Sequence, residues 1–167
     1  MPTTPEFEPM EPTPARRTTV ERTSDTEVVV TRVFDAPPHL VFQAWSTPKL
    51  FRLWWVPRSM AMTLHHCEMD VRTGGTYRLN FGGNMDFFGR YLEVTPPSRI
   101  VWTNEEGAEE GSVTTVTFEP VDDDKMLLVM SEQFPSKEAL DAAGTGAADA
   151  THETFAQLDE VLETLGD

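Results

Sequence analysis

The chain has 167 residues, 39% of them hydrophobic, and a formal net charge of −15, which is enough for one domain with a real core plus a polar remainder. The acidity excludes nucleic acid as a partner, because neutralising phosphates takes a basic surface and no Lys/Arg cluster of that size is present; solubility or adaptation to salt accounts for it instead. Cys67 is the one cysteine, so no intrachain disulfide can form, and with neither a signal core nor a run near the roughly 20 apolar residues of a membrane span, a cytoplasmic protein with no membrane partner is expected.

Residues 1–25, "MPTTPEFEPMEPTPARRTTVERTSD", are dominated by Pro, Thr and mixed charge. Too few apolar residues are present to offset the entropy of ordering them. A disordered tail is predicted there and one domain over 26–167, so that deleting residues 1–24 should leave the melting temperature nearly unchanged. Acidic residues exclude a transit peptide.

The β-branched run "EVVVTRVF" (27–34) predicts a strand. Asp35 can cap the next segment, and Pro37-Pro38 starts a helix rather than continuing a strand. "HLVFQAW" sets Leu40, Val41, Ala44 and Trp45 at helical spacing. Pro48 breaks that helix, and "KLFRLWW" makes a second short one ended by Pro57. Strands come next: "MAMTLHHCEM" (60–69), the cleanly alternating "TYRLNF" (76–81), "DFFGRYLEV" (86–94), "RIVWTN" (99–104), "VTTVTFEPV" (113–121) and "KMLLVMSEQF" (125–134). Gly82-Gly83-Asn84 is a hairpin signal, and the acidic loop tips "EEGAEEG" and "DDD" complete a meander. Pro135-Ser136 stops the last strand and caps "KEALDAA". "GTG" (144–146) interrupts, and from about 149 Phe155, Leu158, Val161, Leu162 and Leu165 form one apolar stripe.

The order is strand, two short helices, six strands, long helix. The fold class is therefore α+β: a curved antiparallel sheet of about seven strands whose apolar face needs a cover, with the C-terminal helix as the one element long enough to supply it. One cylinder cannot fill a broad concave face, and the remaining gap predicts a ligand cavity.

Four strings in this order, "TRVFDAPPHLVFQAW", "LWWVP", "DVRTGGTYR" and "GRYLEVTPPSRIVWT", resemble the helix-grip, START-like superfamily also called SRPBCC. The branch they are most similar to is the one related to the C-terminal domain of the activator of the heat-shock-protein-90 ATPase. The resemblance spans about 27 to 165. It implies a deep-pocketed α+β domain that binds lipids, polyketides, flavonoid-like molecules or other apolar ligands. It also leaves open a chaperone partner with a stress-response role, a homodimer, and, from related branches, cyclase or hydrolase chemistry. The eukaryotic activator carries a separate N-terminal domain, and residues 1–25 are far too short to be one.

Three of the four tryptophans lie between Trp45 and Trp55. Adjacent Trp54 and Trp55 cannot share one face of a helix, so one packs in the core and the other reaches the cavity or its rim, unless both are core. Large residues on candidate inward faces give the expected ligand-binding set: Trp54, Trp55, Tyr77, Phe81, Phe87, Trp102, Phe118 and Phe155. "HHCE" (65–68) splits its donors between two faces of a strand, so all four cannot converge on one ion, and no metal or cofactor is assigned. Cys67 lacks the helix terminus or triad of a nucleophile. "GTGAAD" comes after a helix rather than a strand, unlike a dinucleotide loop. Arg32, Asp70, Arg72 and Arg78 are expected to form structural ion pairs, with a polar anchor for a ligand carboxylate or hydroxyl as the alternative. Catalysis would need an inward acid or base such as His66, Glu68 or Glu132, and no catalytic residue is assigned. The leading expectation is a carrier of a small hydrophobic or amphipathic ligand.

Overall fold

The computed structural model of the chain describes residues 18–60, 63–82, 86–105 and 111–165. Its strands are β1 (Thr19–Arg22), β2 (Glu27–Phe34), β3 (His66–Met69), β4 (Thr76–Asn80), β5 (Asp86–Thr95), β6 (Arg99–Thr103), β7 (Val113–Asp122) and β8 (Lys125–Gln133). They form one curved sheet in the order β1-β2-β8-β7-β6-β5-β4-β3, every pair antiparallel.

The sheet has eight strands rather than seven. The additional one, β1, lies within residues assigned to the tail by composition. "TVER" has a single apolar residue, and it is held by its ladder with β2, Val20 facing Val30. Arg22 on this edge strand also pairs with Asp141 at 2.8 Å. Residues 19–22 are therefore part of the sheet rather than of a tail, and residues 1–17 lie outside the described part. The strand expected over 60–69 is shorter too. Arg58–Met60 is a 3-10 turn and pairing starts at His66, while residues 61 and 62 are not described. The tips expected at Gly83-Asn84 and in 106–110 also lie outside the described residues.

Proline places the short helices. Pro38 opens α1 (Pro38–Ser46) and Pro48 opens α2 (Pro48–Trp54), each at a position where the missing N–H costs nothing. α3 (Lys137–Ala143) is capped by Ser136, whose Oγ accepts from the Ala139 amide at 3.0 Å. It stops at Gly144, whose φ of +68° suits glycine. A single turn, α4 (Gly146–Asp149), leads to α5 (Thr151–Leu165).

The buried face of α5 carries Phe155, Leu158, Val161 and Leu162, the stripe expected from periodicity. This helix is about 22 Å long and about 10 Å wide. Eight strands at about 4.8 Å spacing extend for roughly 34 Å across, so the helix covers one part of the concave face. There, joined by α1 and α2, it closes a solid core of Phe34, Val41, Trp54, Phe118, Leu128, Phe155 and Leu158. Phe34 meets Phe155 edge-on at 5.5 Å between centroids.

The ladder sets residues in rows across the concave face. One row runs Phe34 to Met126, and another runs Val30, Met130, Val116, Ile100. A further row is Val28, Glu132, Thr114, Trp102, Tyr91. The first lies under the helices. The last lies where the helical cover thins out.

Candidate functional site

Beside the solid core is a cavity of about 440 Å³, within the range that holds small organic ligands. Its floor is the last of those rows, all five residues of which line it, together with Val30, Met130 and Ile100. One wall comes from β4 and the strand ends near it: Tyr77, Leu79, Phe81 and Phe87. The opposite wall comes from Trp45 and Phe51 on the short helices, Trp55 to Pro57 after them, Ala148 of α4, Ala150, and Thr151 and Thr154 at the start of α5. Exposed Met60 and Phe87 belong to the lining as well, which puts the opening on their side.

The segment after α2 is pinned to α5 by polar contacts. Gln157, buried on α5, donates from Nε2 to Trp54 O at 3.2 Å and Val56 O at 2.9 Å, and its Oε1 accepts from the Arg58 amide at 2.9 Å. Glu153 accepts from the Ser59 amide at 2.9 Å, and Arg58 pairs with Glu160 at 2.8 Å. These contacts hold Trp55, Val56 and Pro57 as a fixed wall rather than a loose loop.

The paired tryptophans divide as their adjacency requires. Trp54 is fully buried and donates from Nε1 to Ala44 O at 3.1 Å. Trp55 lines the cavity and stacks on Phe51 at 4.7 Å. Both contact Trp45, at 4.8 and 5.9 Å, and Trp102 lies 5.9 Å from Trp45 on the other side. All four tryptophans thus form one aromatic cluster at the cavity.

Of the eight residues expected to bind ligand, Trp55, Tyr77, Phe81, Phe87 and Trp102 line this space. Trp54, Phe118 and Phe155 do not: they are buried in the solid core, on the side where helices rather than solvent-sized space face the sheet. Trp45, Phe51, Tyr91 and the residues of α4 and α5 join the lining without having been expected there. Trp45 and Phe51 lie on helices whose rotation about the axis depends on packing, and Tyr91 precedes a register shift in β5, which breaks simple alternation.

Several polar residues of the lining, Tyr77, Asn104, Thr114 and Glu132, are linked by hydrogen bonds, while Thr151 and Thr154 lie on the α5 side. Tyr77 Oη donates to Thr103 O at 2.7 Å and lies 3.2 Å from Asn104 Oδ1. Asn104 Nδ2 donates to Ser112 Oγ at 2.9 Å and Thr114 Oγ1 at 3.2 Å. Ser112 Oγ in turn donates to the Glu132 carboxylate. Gly111 permits this cluster, since a Cβ there would meet Asn104 O at 1.6 Å. Burial pushes the Tyr91 phenol well up, with Cys67 and Asp70 adding to the shift, so Tyr91 offers a neutral hydroxyl.

The arginines do not reach this space. Arg32 faces inward under α5 and pairs with Asp159, while Arg72 pairs with Asp70 at 2.9 Å and Arg78 with Asp86 at 2.9 Å. Their role as ion pairs matches the sequence expectation, and the alternative of an arginine anchor for a ligand carboxylate fails. His66 and Glu68 point outward and pair with each other at 2.7 Å. Burial pushes the Cys67 thiol up, so it stays protonated; its Sγ lies 3.6 Å from Met69 Sδ. Of the three candidate acids and bases, Glu132 is the one in the cavity.

An antiparallel sheet gripping a C-terminal helix around an apolar cavity defines a helix-grip domain. The family model of Activator of Hsp90 ATPase homolog 1-like protein matches residues 35–163, and the chain belongs to that family. A crystal structure of a Rhodobacter sphaeroides protein is similar at 25% identity and a TM-score of 0.78, covering 89% of this chain and 99% of that one. A Chromobacterium violaceum protein matches at 27% identity and a TM-score of 0.69, covering 83% and 98%. An HSP90 activator from Plasmodium falciparum shares the fold at 20% identity and a TM-score of 0.63, covering 83% and 96%. No curated protein matches the chain. Among the described residues no helix is long and apolar enough to cross a membrane.

Proposed function

We propose that this domain binds a small, largely apolar molecule in the cavity between the sheet and α5. The observation that carries the reading is the cavity itself: about 440 Å³, bounded mostly by aromatic and aliphatic side chains and held open by fixed walls. An interior this large that served stability alone would forfeit contact energy, since empty space lined by apolar groups is destabilising. A ligand restores those contacts. The affinity expected of a mostly apolar site is on the order of micromolar. Titration with a neutral flavonoid-like probe, read by tryptophan fluorescence, tests this. The emission of the cluster should shift and saturate. No change and no heat of binding at high probe concentration would sink the reading. A cytoplasmic setting, suggested by the single cysteine, belongs to the same proposal.

A second reading is a domain that acts on a chaperone ATPase. It is supported by the family membership and by the likeness to the Plasmodium HSP90 activator. Its measurement is the ATPase rate of an Hsp90 with and without this protein. A rise that survives filling the cavity with probe separates this activity from ligand carriage.

A further inference from the structure

We infer that the ligand carries an uncharged carbonyl, as in a ketone, quinone or ester, whose oxygen is received by the Tyr91 hydroxyl. The inference rests on the ligand-carrier reading and names the chemistry that reading leaves open.

Donors and acceptors on the cavity wall are unevenly matched. The side-chain acceptors are in use: Asn104 Oδ1 faces Tyr77 Oη at 3.2 Å, Thr114 Oγ1 accepts from Asn104 Nδ2 at 3.2 Å, and the Glu132 carboxylate accepts from Ser112. Two donors of the same wall lack an acceptor. Tyr91 is only 5% exposed, and among the described residues its hydroxyl has no hydrogen-bond partner. Its neighbour Tyr77, 5.7 Å away between ring centroids, instead donates to Thr103 O. Trp45 Nε1 is likewise buried without a partner, whereas Trp54 in the same cluster gives its N–H to Ala44 O. The other buried side-chain donor of this kind among the described residues, Arg32 Nε, lies outside the lining.

A buried polar group with no partner forfeits the hydrogen bonds it made to water in the unfolded chain, and folded proteins leave few such groups. Both orphans of the wall border a space that a small molecule can enter, so a ligand can supply what the protein does not. An indole N–H can only donate, and burial keeps the Tyr91 phenol protonated. An acceptor is therefore what the ligand must bring.

The acceptor is uncharged. No Lys, Arg or His is among the described lining residues, so a ligand carboxylate would lose its water without gaining a cation. A carbonyl oxygen offers lone pairs at no such cost. Trp102 pairs with Tyr91 across the ladder of β5 and β6 and lies 5.9 Å from Trp45, so an aromatic body against Trp102 adjoins both donors.

Three probes with one naphthalene body separate the outcomes: 1-acetonaphthone, its isosteric alkene 1-isopropenylnaphthalene, and 1-naphthoate, each measured by equilibrium dialysis against the full chain and against Tyr91→Phe. The variant removes the hydroxyl alone. It should weaken the ketone by about fivefold or more and leave the alkene within about twofold, the loss of one hydrogen bond. Its melting temperature without probe should equal or exceed that of the wild type, since the hydroxyl has no partner to lose. A fall of several degrees would show the hydroxyl bonded within the protein and overturn the inference. A ketone affinity that falls no more than that of the alkene also overturns it and leaves the carrier reading standing, as does a naphthoate that binds the wild type as tightly as the ketone. On the wild type alone the ketone should bind at least as tightly as the alkene, although water hydrates it better. A preference for the alkene of about tenfold overturns the inference without recourse to a variant. If no probe binds the wild type, the carrier reading falls and this inference with it.

Discussion

Replacing Trp54 by phenylalanine removes the donor to Ala44 O and leaves a gap in a filled interior. A loss of about 2 kcal/mol in unfolding free energy is expected, with probe affinity nearly unchanged. Trp55→Phe should do the reverse, because Trp55 faces the cavity and phenylalanine covers less of a ligand: affinity weakens several-fold and stability changes less. Denaturant melts and probe titrations on both variants check the pair. Equal losses of stability with equal affinities would return both rings to the core. That one of two adjacent indoles must diverge from the other was legible from their adjacency alone. Which one diverges was not, because a helix fixes angles between neighbours and leaves its own rotation to packing. Glu132 was visible as an ionisable residue among Met, Leu and Val. Its direction was not, because which face of β8 turns inward depends on the register with β2 and β7. Phe118 and Phe155 had the right face and the wrong end, since periodicity gives direction across a sheet and says nothing of how far along it the cover extends.

Among the elements, β1 shows a different limit. A chain starting at Thr18 keeps the strand and its ladder and should melt like the full chain. A chain starting at Asp25 loses four paired residues, the cover of Val20 over the core edge, and the Arg22–Asp141 pair at 2.8 Å. Its melting temperature should fall by several degrees in a thermal scan, and an unchanged value would show that the ladder contributes nothing. The eight-residue β2 and the helices α1, α2 and α5 were legible from alternation, proline and the apolar stripe. β1 was not, because an edge strand of polar residues is specified by its partner rather than by its own pattern. The same holds for β3, expected over 60–69: its ladder with β4 runs from His66 to Met69, and just before it the His65 amide bonds to Asn80 O at 2.8 Å.

Acid should reveal two opposing contributions to the stability of the domain as a unit. Hydrogen bonds from Ser131 to Glu27, from Asn80 to Asp86 and from Thr103 to Glu105 hold those carboxyls below the usual range, as Lys137 does for Asp141 and Ser59 for Glu153. Each such group stabilises the fold above the ordinary carboxylate range, and that contribution is lost as pH falls through the lowered value. Asp159 has the opposite sign. Burial raises it despite Arg32, so its contribution is fully present below its unfolded pKa, near about 3.9, and is lost as pH rises through the raised value. The melting temperature should drop on going from pH 6 to pH 3, and the drop should be larger in Asp159→Asn than in the wild type. A smaller drop in the variant would reverse the sign assigned to Asp159. The pairing of β2 with β8 has a consequence in time. Ser131 on β8 bonds to Glu27 on β2 across 104 residues, and α5 comes later still. A ribosome therefore releases β2 long before its partner exists, and closing so long a loop costs entropy before any ladder forms. Contacts this distant in sequence slow folding. The nascent chain can make the β3 to β7 meander early, but the wall bearing Glu132 and the helix above it arrive last. Ligand can enter only once α5 has packed onto the sheet, so capture comes after the strands have paired and cannot guide their pairing.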